Sequence, residues 1–156
     1  MSGPRIVHGA RVPLFDRLVD GDPATTYEPH PPRMLDPKGV RESVGRELDR
    51  LLNTRTPLAV DELDRRQRST IDYGIPDLSL FRPYETDSEH LLVEVIERTI
   101  AAFEPRLANP RVSVERLAGE RRSLLARIEG TIVVGTMVEP VSFPVLLRDS
   151  VSEPDE

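Results

Sequence analysis

Two glutamates each stand directly before a proline, Glu104-Pro105 and Glu139-Pro140. A pair of carboxylates is what glycoside hydrolysis requires, one as acid and the other as base or nucleophile across a cleft. Spacing in the chain does not bring the two into one cleft, and only Phe and Tyr are available to line a sugar groove, since the chain has no Trp. Structural carboxylates are therefore the favoured interpretation. His8, His30 and His90 have no metal-ligand spacing. With no cysteine there is no disulfide, thiolate metal site or thiol redox chemistry. The chain lacks G-x-S-x-G, a phosphate-cradling Gly-rich loop and H-E-x-x-H. No catalytic residue, metal or cofactor is expected. The net charge of −6 argues against generic binding to nucleic acid. Arg65-Arg66-Gln67-Arg68 is the densest basic cluster, and it fits a solvated or partner-facing helix surface better than a phosphate site.

The glutamate of greater interest is Glu104, because Phe103-Glu104-Pro105-Arg106-Leu107 sits where a helical pattern gives way to strands. Upstream, Thr86-Asp87-Ser88-Glu89 has capping-box spacing ahead of Leu91, Leu92, Val95, Ile96, Thr99, Ile100 and Phe103. Pro105 disfavours a helical Glu104, so the helix should end near Phe103. Downstream the period becomes 2. Val112 and Val114 mark a short strand, and Leu124, Ala126, Ile128, Gly130 and Ile132 a longer central one, with a turn around Gly119-Glu120 between them. Val141, Phe143, Val145 and Leu147 form the inner face of a third strand. Its Pro140 and Pro144 share one parity, so their missing N–H groups should face outward from a terminal strand.

Asp36-Pro37 starts another helix, to about Leu52, with Val40, Val44, Leu48, Leu51 and Leu52 on one face. A weaker helical stretch is predicted near Val60 to Thr70, anchored by Leu63 and Ile71. Tyr73-Gly74-Ile75-Pro76-Asp77-Leu78-Ser79 predicts a structured loop whose Ile75 and Leu78 reach the core. Before the first helix come a basic, mobile arm to Val12, an amphipathic turn of Leu14, Phe15 and Leu18, and a Pro-rich linker from Asp20 to Pro32.

The 156 residues fit one core. The expected fold is α+β, two-layered, with helices packed on a three-stranded antiparallel β-meander. The expected division is residues 1–36 as arm, turn and linker, 37–148 as the folded domain, and 149–156 as an acidic disordered tail. No apolar run is long enough to span a bilayer and the N-terminus lacks the apolar stretch of a signal peptide, which points to a cytoplasmic protein.

Five segments in order carry a resemblance: Leu14-Phe15-Asp16-Arg17-Leu18, Leu51-Leu52-Asn53-Thr54-Arg55, Tyr73-Gly74-Ile75-Pro76-Asp77-Leu78, Phe103-Glu104-Pro105-Arg106-Leu107 and Glu139-Pro140-Val141-Ser142-Phe143. Together they resemble the TssE family, the baseplate wedge component of type VI secretion systems, similar to the sheath-initiating wedge protein of contractile phage tails. Some members carry a lysozyme-like description. The likeness spans Pro13 to Leu147, and its Glu-Pro-Arg signature falls on Glu104, Pro105 and Arg106.

The resemblance implies a structural protein that joins wedge subunits (TssF, TssG, TssK) and starts the contractile sheath (TssB, TssC), cytoplasmic within a membrane-docked baseplate. Leu14, Phe15, Leu18, Tyr73, Gly74, Pro76 and Asp77 become packing elements or docking sites. If Glu104-Pro105-Arg106 is extended, Glu104 and Arg106 project to one side, either as an internal pair locking the corner or as a charged contact to a neighbour. Strand addition is the natural route to the sheath, with the edge from Arg111 to Leu117, through Val112 and Val114, as the expected template. A hydrolase using Glu104 and a generic interaction adaptor are the alternatives.

Overall fold

Asp36 caps the first helix, its Oδ1 accepting from the Gly39 amide at 2.7 Å, and Pro37 occupies the first turn, where no donor is lost. The computed structural model describes residues 10–13, 34–63, 65, 67–81, 86–117 and 123–148. Helix α1 spans Pro37–Asn53 and fully buries Val40, Val44, Leu48, Leu51 and Leu52. Helix α2 spans Thr86–Phe103 and buries Leu92, Val95, Ile96 and Ile100, while Leu91, also on the expected apolar face, is 40% exposed. Each fully buried Leu or Ile contributes roughly 1.5–3 kcal/mol of transfer free energy.

Three long strands follow: β3 Leu107–Arg116, β4 Leu124–Val134 and β5 Met137–Leu147, after a short β1 Ala10–Arg11 and β2 Met34–Leu35. The sheet order is β3-β4-β5, all antiparallel, with β4 at the centre. Ala126, Ile128 and Ile132 of β4 and Val141, Val145 and Leu147 of β5 face the helices and are buried. Helix α1 lies against β5, where a Cβ at Gly45 would sit 3.4 Å from the Phe143 ring, and α2 lies against β3. The fold is thus the two-layer α+β arrangement expected.

Strand β5 pairs with β4 without interruption from Leu124↔Leu147 to Val134↔Met137. Pro140 lies opposite Thr131 and Pro144 opposite Arg127. Lacking N–H groups, they fall at positions that do not donate to β4, so their edges face outward from the terminal strand as the parity argument predicts.

Strand β3 starts four residues earlier than Arg111. Asn109 and Pro110 interrupt the ladder between Ala108↔Thr131 and Arg111↔Glu129, with Asn109 at φ 51°. This bulge adds one residue to β3 and flips its parity, which lets both odd-numbered Leu107 and even-numbered Val112 and Val114 face the core.

Two expectations need correction. Among the described residues, 60–72 hold no α-helix, only 3₁₀ turns at Val60–Glu62 and Thr70–Asp72. Leu63 is buried and Val60 partly so, but Ile71 is 75% exposed, so the apolar contacts sit at one end of the segment and form no stripe to hold a helix on the core. Side chains also take its backbone donors, Glu62 from Ala59 and Asp72 from Ser69. The N-terminal arm is ordered at its end: Ala10 and Arg11 pair with Leu35 and Met34, Val12 is buried, and Leu35 packs on the core. The Leu14–Leu18 turn, the Asp20–Pro32 linker, the Gly119-Glu120 turn and the acidic tail lie outside the described residues.

Candidate functional site at the helix-to-sheet corner

Helix α2 makes its last backbone bond at Glu104, whose amide donates to the Ile100 carbonyl at 2.8 Å. Pro105 cannot continue the ladder. Instead the Leu107 amide donates to the Glu104 carbonyl at 3.1 Å, closing a β-turn with proline at its second position. The Arg106 carbonyl accepts from the Val133 amide at 2.8 Å, which ties the turn to β4. The corner is therefore a tight turn, not the extended dipeptide expected. Glu104 and Arg106 meet because the turn folds back.

Their contact is a fork. Arg106 Nε donates to Glu104 Oε1 at 2.7 Å and Nη2 to Oε2 at 2.5 Å, and the Arg106 amide adds a 3.2 Å bond to Oε1. Arg106 Nη1 reaches α1 and donates to Ser43 Oγ at 3.0 Å. The Glu104 side chain is 2% exposed and that of Arg106 21%. A charge this deep persists because both carboxylate oxygens are occupied by a matching planar cation.

Phe103 extends the corner toward the Tyr73 loop. The Tyr73 and Phe103 rings meet edge to face with centroids 5.4 Å apart, and the Arg68 guanidinium lies 5.8 Å from the Phe103 centroid. Arg68 also donates to Thr99 Oγ1 at 2.7 Å. The basic cluster is therefore divided: Arg68 packs inward, whereas Arg65 pairs with Asp61 at the surface. The Tyr73 hydroxyl donates to Glu47 Oε1 at 2.8 Å. Burial first, then the bond to Glu47, push the Tyr73 phenol well above its ordinary range.

Gly74 lies against the end of α1, with φ 109°, and a Cβ there would stand 2.4 Å from the Thr54 carbonyl oxygen. That approach lets Ile75 donate to Thr54 at 3.0 Å and accept from Thr56 at 2.9 Å, in a parallel bridge between Arg55 and Ile75. Only glycine fits such a position without strain. Pro76 is buried behind it. Asp77 is exposed and accepts from the Ser79 amide at 2.9 Å, a bond that holds its carboxyl below the usual range.

The structure thus brings Tyr73, Glu104 and Arg106 into one polar cluster and seats Gly74, Pro76 and Asp77 on the loop beside it. Val112 and Val114 stand apart on β3, and Leu14, Phe15 and Leu18 lie outside the described residues. Ser43, Glu47, Arg68 and Thr99 belong to the cluster and were not foreseen. The one sequence signal for Ser43 and Glu47 is their i, i+4 spacing beside the apolar stripe of α1. Glu139 is not in the cluster and pairs instead with Arg41 of α1.

A family model described as baseplate wedge protein gp25 matches residues 38–136. Among solved structures, a chain of the baseplate complex from the type VI secretion system is 20% identical with a TM-score of 0.48, the match covering 71% of this chain and 96% of that one. A protein from Geobacter sulfurreducens described as a tail lysozyme is 19% identical with a TM-score of 0.46, covering 72% of this chain and 95% of its own. No curated protein matches.

Proposed function

Because this chain belongs to the baseplate wedge protein gp25 family, we propose that it is the TssE-type structural subunit of a type VI secretion baseplate, joining wedge subunits and initiating the contractile sheath. The observation that carries this proposal is the family match over residues 38–136, which takes in α1, the Gly74 loop, the corner and both β3 and β4. In this role the partners are the wedge subunits TssF, TssG and TssK and the sheath subunits TssB and TssC, and the protein works on the cytoplasmic side of a membrane-docked baseplate. Among the described residues no helix is long and apolar enough to cross a membrane.

The chemistry of the corner supports a scaffold. A glycosidase acid must present its carboxyl to a glycosidic oxygen, whereas the Glu104 side chain is 2% exposed with both oxygens bound to Arg106. The cluster joins α1, the Tyr73 loop, α2 and β4, so it holds rigid the surfaces that a subunit in a repeating assembly must present to its neighbours. Sheath initiation is assigned to the outer edge of β3, where strand addition supplies main-chain hydrogen bonds of about 0.5–1.5 kcal/mol net each. Repetition around a ring multiplies such modest contacts.

Co-expression with the wedge and sheath subunits from the same gene neighbourhood tests the proposal. The expected result is a complex in which this chain co-purifies with the wedge subunits and retains the sheath pair. Binding to neither would remove it, and muralytic activity that is lost in Glu104→Gln would favour the hydrolase instead.

A further inference from the structure

The sheet has two outer edges, and they are closed in different ways. On β5 the outward positions include Pro140 and Pro144, which have no N–H to offer. At the end of that edge the Leu146 carbonyl accepts from Asn53 Nδ2 at 3.0 Å, and the Arg148 amide donates to Asn53 Oδ1 at 3.0 Å. The missing donors of β5 are a covalent fact and cannot be restored by any movement.

On β3 the first stretch is interrupted by the Asn109-Pro110 bulge. Beyond it, the Val112 N–H does not point to β4. It donates to Glu97 Oε1 of α2 at 2.9 Å. Alternation along a strand turns the backbone groups of Val114 and Arg116 to the same outer side. One acceptor, on a half-buried side chain, thus occupies the place that the carbonyl of an added strand would take.

We propose that Glu97 is a releasable guard of the β3 edge. Its carboxylate satisfies Val112 while the chain is alone, and gives way when an extended segment of a partner lies along Val112–Arg116 and supplies a main-chain carbonyl. The inference rests on the proposal that β3 receives a strand of the sheath. In the exchange Val112 N–H keeps one acceptor throughout, and the freed carboxylate turns to solvent. Glu97 can leave by side-chain rotation, so no backbone bond of α2 is broken. A charged group at an edge also discourages pairing between copies of the chain. Prolines close β5 permanently, while Glu97 closes β3 reversibly.

The test combines amide hydrogen exchange on the isolated chain with titration of the purified TssB–TssC sheath pair. Glu97→Ala should speed exchange at Val112 about tenfold or more, and should bind the sheath pair roughly threefold to tenfold more tightly than wild type, because no guard bond must be broken first. Glu97→Gln, which keeps a weaker acceptor, should fall between. Unchanged exchange at Val112, or an affinity equal to or below wild type in Glu97→Ala, would overturn the guard. Val114→Pro, with its thermal melt checked, separates this from the underlying proposal; Arg116→Pro replaces it if Val114→Pro does not fold. Loss of sheath binding in the proline variant with no gain in Glu97→Ala sinks the guard alone. Full binding by the proline variant, or no sheath binding by wild type, removes β3 as the receiving edge and the guard with it.

Discussion

Glu104 and Arg106 lie two residues apart, and their side chains close a two-bond fork across the turn, at 2.7 and 2.5 Å, with the carboxylate buried and the third guanidinium nitrogen on Ser43 of α1. The pair is made within the chain, and a corner locked in this way is compatible with a contact to a neighbouring subunit. Every carboxylate oxygen is spent inside the chain. A neighbour could still rest on the corner, but it would meet a surface already fixed.

Arg106→Ala should lower stability by about 3–5 kcal/mol, because it leaves the Glu104 charge buried without its cation. Arg106→Lys should recover part of that, since an ammonium cannot make the planar fork. Glu139→Gln is the contrast: its partner Arg41 is half exposed, and such a pair is worth at most about 1 kcal/mol. Urea unfolding of the three variants checks the ranking.

Gly74→Ala places a Cβ 2.4 Å from the Thr54 carbonyl at φ 109°, so it should cost more than about 2 kcal/mol and loosen the loop from α1. Gly135 also has positive φ, but nothing lies within 4 Å of its added Cβ. Gly135→Ala should therefore cost only about 1 kcal/mol. Thermal melts of the two variants should differ in that order.

Tyr73 makes stability depend on alkaline pH. Its phenol loses its proton more readily in the unfolded chain, near pH 10.0, than in the folded one, where burial and Glu47 oppose the anion. The unfolded state therefore binds fewer protons above that pH, and the Tyr73 contribution, fully present below about pH 10, is lost progressively as pH rises from there toward the raised value of the folded phenol. Tyr73→Phe should flatten this alkaline fall in unfolding free energy. Equal slopes in wild type and variant would contradict it.

Much of the scaffold is legible in the chain because its signals are local. Asp36-Pro37, the apolar stripe of α1, the run from Leu92 to Ile100 and the alternation through Ala126, Ile128 and Ile132 each state an element and its inner face. Pro105 marks the corner, and the parity of Pro140 and Pro144 marks an edge strand. Illegible features depend on distant partners. Nothing near Arg106 announces Ser43, 63 residues earlier, and nothing near Val112 announces Glu97. The helix expected over residues 60–70 fails because a charge-dense segment with only Val60 and Leu63 packed at its start cannot pin a helix to the core. The early start of β3 is hidden because Asn109-Pro110 reads as a break when it is a bulge inside one strand.

Glu104 and Arg106 are coupled within the chain by their two-bond fork. A double-mutant cycle, with Glu104→Gln, Arg106→Ala and both together followed by urea unfolding of the isolated protein, measures that coupling directly. The predicted interaction energy is about 2–3 kcal/mol, with the double variant much more stable than the sum of the single losses implies. Single effects that add to within about 0.5 kcal/mol would contradict it and return the pair to the role of a surface awaiting a partner.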